Sequence, residues 1–175
     1  MGRRFLPAII GLVALAVSVP AGLAAAPDPL AELRAATEPY HDIGKLPAGY
    51  GEFYVCTDNE ALGAAMGQHY ANVDMVVDPA IDALSPEVFV YEPRPNGTLR
   101  LVAVEYVVFK ADWDAAHPGT KPQLFGRTFS EIPAGNRYGL PDFYELHVWV
   151  WKGNPRGVFD DWNPTVSCRG NGDPA

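Results

Sequence analysis

Length, composition and charge describe a small acidic protein and exclude some classes of function. The chain has 175 residues, with 13 Lys and Arg against 21 Asp and Glu and a formal net charge of −8, and a chain of this length suits one domain with its own core. Nucleic-acid binding is not expected, because it requires a basic face and the sequence has no cluster of Lys and Arg.

The first 24 residues predict a cleavable signal peptide. Arg3 and Arg4 precede an apolar run over residues 5–19, and small residues follow it. The run is shorter than the roughly 20 residues that cross a bilayer, so we expect cleavage after Ala24 and no membrane association afterwards. The mature product, residues 25–175, is expected to be one secreted or extracytoplasmic domain, with a net charge more negative by the two arginines removed.

The first elements of the mature chain are a helix and a short strand. Apolar spacing predicts a helix over residues 30–43, and Pro39 either kinks it or divides it. Alternation predicts a strand over residues 52–56. The segment 61–70 is open between a short helix and an extended loop, because it contains two glycines.

A β-hairpin over residues 87–110 is the clearest unit of the sequence. Its two apolar segments meet at Pro95-Asn96-Gly97, and Asn-Gly is typical of a tight hairpin turn. Residues 112–141 are expected to form a loop with packing points at Leu124-Phe125 and Phe129, and residues 143–152 a second strand. The prediction is a single α+β domain, mainly an antiparallel sheet with an N-terminal helix and long loops.

Alternation along the two long strands assigns their residues to faces. From Leu99, every second residue up to Phe109 shares one face, and this set includes Glu105. In the later strand Glu145, His147, Trp149 and Trp151 share a face. Both strands are otherwise mostly apolar, so an ionisable group there is expected to be paired or neutral.

Only two cysteines, Cys56 and Cys168, are present, and both lie in the part expected to be exported. An oxidising compartment favours their pairing as one disulfide. The alternative, two thiols acting as metal ligands, is disfavoured because neither has a closely spaced Cys or His partner.

Three histidines and one glutamate form a candidate site for a divalent metal ion: His69, Glu105 and His147, with His41 as a further candidate. Imidazole nitrogens with one carboxylate oxygen suit zinc, iron, copper or manganese. No HExxH or CxxC motif is present, so the ligands would have to converge through folding. The alternatives are hydrogen-bonded core histidines, and a Glu105 that pairs with Arg100, Arg127 or Lys110.

Other functions stay open at this point. The aromatic residues Tyr144, Trp149, Trp151 and Trp162 could stack on a sugar or bind a small apolar ligand without a metal, or they could be core. Glu105 and Glu145 could be a glycosidase pair, and a structural envelope protein is a further alternative. No nucleophile motif or phosphate loop decides whether the protein is an enzyme, and the oligomeric state is not indicated.

The sequence also resembles a family of exported bacterial proteins, many of them actinobacterial, of unknown function. The resemblance is carried by segments at 40–42, 66–70, 91–97, 104–106, 144–149, 154–155 and 161–164, and by Cys168. It implies export and transfers no activity. The chain departs from the family pattern at Pro39 and Pro47, where relatives continue a helix, and this leaves the placement of His41 open.

Overall fold

The computed structural model describes residues 1–2 and 28–171. The predicted signal peptide, apart from its first two residues, and its cleavage after Ala24 lie outside the described residues. Within the described ranges, no helix is long and apolar enough to cross a membrane.

The N-terminal helix forms and ends as its prolines require. Helix α1, Pro29–Thr37, begins with Pro29 in its first turn and with Asp28 as N-cap, whose carboxylate accepts a hydrogen bond from the Leu30 N–H at 3.1 Å. The chain then tightens into a 3₁₀ turn, Glu38–His41, that contains Pro39. Proline lacks the N–H that an α-helix would need there. The predicted helix is confirmed up to this point.

The core element is a six-stranded antiparallel sheet, curled into a half-barrel. Its strands occur in the order β1, β2, β3, β4, β8, β7, with bounds β1 Tyr50–Asn59, β2 Ala64–Asn72, β3 Val88–Pro93, β4 Leu99–Phe109, β7 Ser130–Ile132 and β8 Phe143–Val148. A separate small hairpin consists of β5, Gln123–Leu124, and β6, Arg127–Thr128. The short helices are α2 Val73–Val76 and α3 Lys110–Ala116, with 3₁₀ turns at Ile43–Lys45, Glu60–Leu62 and Arg169–Asn171.

The hairpin prediction is confirmed by the pairing of β3 with β4. At its tip the Gly97 N–H donates to the Arg94 carbonyl, and Gly97 has a φ of 77°, a value that glycine adopts without strain. The segment at 61–70, which the sequence left open, is mostly strand β2. The expectation of a loop over residues 112–141 was wrong in part, because α3 and three short strands occupy much of it.

Both faces of the sheet are covered. On one face, here called the helix face, α1 packs through Leu33 on Phe89, Val104 and Tyr106. The opposite face, here called the disulfide face, contains a second apolar cluster that includes the Cys56–Cys168 disulfide, with Cα atoms 5.7 Å apart. The predicted α+β fold and its disulfide are therefore confirmed.

The predicted alternation along β4 fails at one point, Val102. Val90 pairs with Ala103 and Tyr91 with Leu101, so Val102 is the extra residue of a β-bulge. As a result Leu101 packs on the helix face, whereas Ala103 packs on the disulfide face. Beyond the bulge the predicted alternation holds, and it places Glu105 on the disulfide face.

Candidate metal centre

Three strands of the same sheet supply the candidate ligands. His69 lies on β2, Glu105 on β4 and His147 on β8. Glu105 and His147 are direct partners across the β4 and β8 pair, which brings their Cβ atoms to about 5 Å in an antiparallel sheet. His69 is separated from Glu105 by β3, and the curl of the sheet brings the two together.

The three side chains converge as the metal hypothesis requires. His69 Nε2 lies 3.5 Å from Glu105 Oε2, and one ligand atom from each residue lies within 4.8 Å of the others. Bonds of about 2.0–2.2 Å to one ion place its ligands roughly 3–4 Å apart, so the side chains need to close by about 1 Å. All three residues are buried, with exposed fractions of 4%, 5% and 0%.

Three imidazole nitrogens at this point have no hydrogen-bond partner. They are His69 Nδ1 and both ring nitrogens of His147, all buried. A neutral imidazole carries one donor and one acceptor, and each buried group left unpaired costs about 1–3 kcal/mol. Among the described residues these imidazoles therefore have polar atoms without partners, in a group that could hold a metal ion.

Burial keeps both imidazoles neutral. It lowers the pKa of His69 to about 4, although the nearby Gly67 carbonyl acts in the opposite direction. That carbonyl does not form a hydrogen bond of good geometry with His69 Nδ1. Burial also lowers the pKa of His147 well below its ordinary value, and His69 adds to this effect. Neutral imidazole is the form that binds a metal ion.

A second carboxyl group, Glu145, joins the centre. Burial raises the pKa of Glu105 well above its ordinary value, and Glu145 adds to the rise through its charge and a hydrogen bond. Burial also raises the pKa of Glu145, to about 7, with a smaller contribution from Asp161. Burial therefore favours the protonated form of both carboxyls over the ionised form.

The two glutamates of the glycosidase interpretation are both buried, with exposed fractions of 5% and 4%, and each acts on the pKa of the other. Carboxyl groups of a glycosidase stand about 5–9.5 Å apart, with the sugar between them. The burial of this pair therefore gives the glycosidase interpretation no support. The sequence singled out Glu145 only as half of that pair, although its position two residues before His147 already placed both on one face.

The structure does not bring His41 to the centre. His41 ends the 3₁₀ turn after Pro39, is exposed, and packs edge-on against Trp151 with ring centroids 4.2 Å apart. That ring belongs to the helix face, on the other side of the sheet from His69. The inclusion of His41 among the ligands is therefore corrected.

The pairings proposed for Glu105 do not form either. Lys110 binds Asp114 and donates to the Tyr144 hydroxyl at 3.0 Å. Arg127 lies over the Phe159 ring, at 5.1 Å from its centroid. Arg100 is exposed, at the far end of β4.

The aromatic residues of the alternative site are dispersed. Trp149 is buried on the disulfide face and stacks on His147 at 5.0 Å, whereas Tyr144 is buried on the helix face. Trp151 packs on the helix face, where its Nε1 donates to the Thr37 hydroxyl at 3.0 Å. Strand β8 ends at Val148, so the alternation that grouped Trp149 with Trp151 stops there.

Trp162 has a third environment, with the Arg137 guanidinium 5.6 Å from its ring centroid. The four aromatic side chains therefore do not form one exposed platform.

An apolar cavity of about 80 Å³ lies against the centre. His69, Glu105, Glu145 and Tyr138 form part of its wall. Burial raises the pKa of Tyr138 above its ordinary value, and the charges of Glu105 and Glu145 add to this effect. No pattern in the sequence indicated Tyr138, which lies in the connection between β7 and β8.

Comparison of the chain with protein-family models, curated proteins and solved structures finds no match. The geometry of the centre is therefore the basis for its chemistry.

Proposed function

We propose that this protein is an exported protein that binds a divalent metal ion through His69, Glu105 and His147. One observation carries the proposal: buried imidazole nitrogens without partners lie beside a buried carboxyl, with ligand atoms within 4.8 Å of one another. Folding has gathered these groups from three strands, and a shared cation would satisfy them together.

Export is supported by two features of different kinds. The N-terminal arginines and apolar run of residues 5–19 have the pattern of a signal peptide. The Cys56–Cys168 disulfide suits an oxidising compartment outside the cytoplasm. The resemblance to exported bacterial proteins agrees with both.

The charge of the centre favours a cation. Among the described residues, no Lys or Arg forms an ion pair with Glu105 or Glu145; the Lys ion pairs lie elsewhere. Without a counter-charge, buried carboxyls must keep protons, and their raised pKa values express this cost. A divalent ion would supply the missing positive charge and allow the carboxyl that binds it to lose its proton.

The ligand set indicates the class of ion. Two imidazoles with one carboxylate form the sites of zinc hydrolases and of non-haem iron enzymes, and both leave coordination positions open. A bound ion would supply Lewis acidity to a molecule at an open position. Glu145 would orient the Glu105 carboxylate by its hydrogen bond, as residues behind metal ligands commonly do.

The test is metal analysis of protein purified without a histidine tag and without chelators. We expect close to one divalent ion per chain, and tight calorimetric binding of Zn²⁺ to chelator-treated protein. His147→Ala should abolish both, because it removes one of the three ligands. His41→Ala is the matched control and should retain full occupancy, because His41 lies on the opposite face.

A folded, metal-free protein that shows no Zn²⁺, Mn²⁺, Co²⁺ or Cu²⁺ binding by calorimetry would refute the proposal. Equal occupancy in His147→Ala and the unmodified chain would place the ion elsewhere. A metal-free sugar platform has less support, because Tyr144 and Trp149 are buried and the four candidate aromatics are dispersed.

A further inference from the structure

The cavity beside the centre has the form of a binding site for a second molecule. It lies on the disulfide face, and three of its wall residues, His69, Glu105 and Glu145, belong to the centre. Its remaining wall is apolar apart from the Tyr138 hydroxyl: Phe53, Ala71, Val73, Val76, Val88, Val107, Phe109, Leu140 and Phe143. A mostly apolar wall with a few convergent polar groups is typical of small-molecule sites.

We infer that this cavity binds a short aliphatic molecule whose oxygen-donor head coordinates the metal ion. The inference rests on the proposed function, since the head needs the ion. It goes beyond that function by naming the ligand class and the wall that selects it.

The direction of approach follows from which ligands line the cavity. His69 and Glu105 form part of its wall, whereas His147 does not. His147 is fully buried and is covered by the stacked ring of Trp149. An ion held by all three therefore has protein behind it on the His147 side and its free positions toward the cavity.

The size of the cavity limits the length of the chain it takes. Its volume of about 80 Å³ is roughly half of the 150 Å³ cavity that holds benzene in another protein. The apolar part of the ligand should therefore have about three or four non-hydrogen atoms. Val73 lines the cavity and has 59% of its surface exposed, so it lies at the mouth of the cavity.

The lining of the cavity determines the head group. His69 and Glu105 belong to its wall, and no Lys or Arg is among the described residues that line it, so a polar head has to bind through the ion itself. An oxygen donor such as a carboxylate or hydroxamate does so, whereas the charge of the ion would repel a cationic head.

The test uses the full-length mature chain loaded with Co²⁺, whose visible spectrum reports a change in coordination. Acetohydroxamate, butyrohydroxamate and octanohydroxamate are titrated in turn. We expect affinity to rise about fourfold for each methylene up to butyrohydroxamate, which is the effect of burying one methylene, and to gain nothing further at octanohydroxamate. Affinity independent of chain length, or a continued rise to octanohydroxamate, would overturn the inference.

A rim variant tests the location. Val73→Trp should lower butyrohydroxamate affinity at least tenfold with the cobalt content unchanged, because the indole covers the cavity mouth. The control is Leu84→Trp, at a residue of similar exposure, 44%, that does not line the cavity, and it should bind as the unmodified chain does. Both positions are exposed, so both variants should fold.

The outcomes separate the two proposals. Equal hydroxamate affinity in Val73→Trp and Leu84→Trp would refute the cavity assignment while the metal centre stands. Failure of the unmodified chain to bind any of Zn²⁺, Mn²⁺, Co²⁺ and Cu²⁺ would refute the proposed function, and this inference would fail with it.

Discussion

Glu87 makes stability fall as pH rises toward 8, and Glu87→Gln should remove that dependence. Glu87 is 1% exposed, and its Oε2 accepts a hydrogen bond from the Val107 N–H at 3.2 Å. Burial raises its pKa to about 8 from the ordinary 4.5, with smaller contributions from the charges of Asp82 and Asp78. Between pH 4.5 and 8 the folded protein therefore keeps a proton on Glu87 that the unfolded chain has largely lost.

The sign and size of the effect follow from that difference in bound protons. Between pH 4.5 and 8 the folded state binds more protons than the unfolded state, so the free energy of unfolding decreases as pH increases. Integration from pH 4.5 to 7 gives about 3 kcal/mol as an upper figure, at 1.4 kcal/mol per pH unit. Glutamine has a similar shape, can accept the same Val107 N–H and does not titrate.

The assay is urea unfolding of both chains in chelator-containing buffers at several pH values. The stability of Glu87→Gln minus that of the unmodified chain should be smallest near pH 4.5, where it measures only packing, and should grow to about 3 kcal/mol at pH 7. Glu32→Gln, at an exposed position of α1, is the matched control and should show no such growth. A difference that is constant across pH would refute the argument.

The remaining predictions concern the disulfide, one glycine and the helix. The double variant Cys56→Ser/Cys168→Ser should lose up to about 4–5 kcal/mol of unfolding free energy in urea, because the bond closes a sequence separation of 112 residues; unchanged stability would contradict this. Gly67→Ala should lose several kcal/mol of unfolding free energy, because the new Cβ would lie 2.6 Å from the Tyr91 carbonyl oxygen and Gly67 has a φ of 121°. It should also weaken Zn²⁺ binding in calorimetry. Leu33→Ala should lose about 2–5 kcal/mol of unfolding free energy, because Leu33 is a fully buried residue of α1. It should leave metal occupancy unchanged, because the centre lies on the other face of the sheet. Loss of metal from folded Leu33→Ala would show that the two faces are coupled.

Local patterns in the sequence were sufficient for several elements of the fold. Asn96-Gly97 identified the hairpin turn because few residue pairs adopt its backbone angles without strain. The disulfide followed from counting, since Cys56 and Cys168 are the only cysteines. The alternation of side chains along β4 placed Glu105 and Val107 on one face, because successive side chains of any strand point to opposite faces.

The same patterns failed where the pairing between strands interrupted the alternation along one strand. The bulge at Val102 is visible only in the register between β3 and β4, and it moves Leu101 to the helix face. His41 was included because the predicted helix over residues 30–43 placed it on an apolar face, but the 3₁₀ turn that contains Pro39 leaves it exposed beside Trp151. Helical spacing does not hold past the point where the helix ends, so it could not place His41.

The candidate centre shows the division between sequence and tertiary structure most clearly. The sequence by itself determined that Glu105 and His147 were polar interruptions in apolar strands, which is a local property, and it left His69 in a segment of undecided structure. Only the tertiary structure decided that they meet, because β2, β4 and β8 are distant in sequence and the curl and register of the sheet set their separation. It also decided that Glu145 acts on the pKa of Glu105, because that effect depends on burial and on a distance between strands that no spacing along the chain encodes.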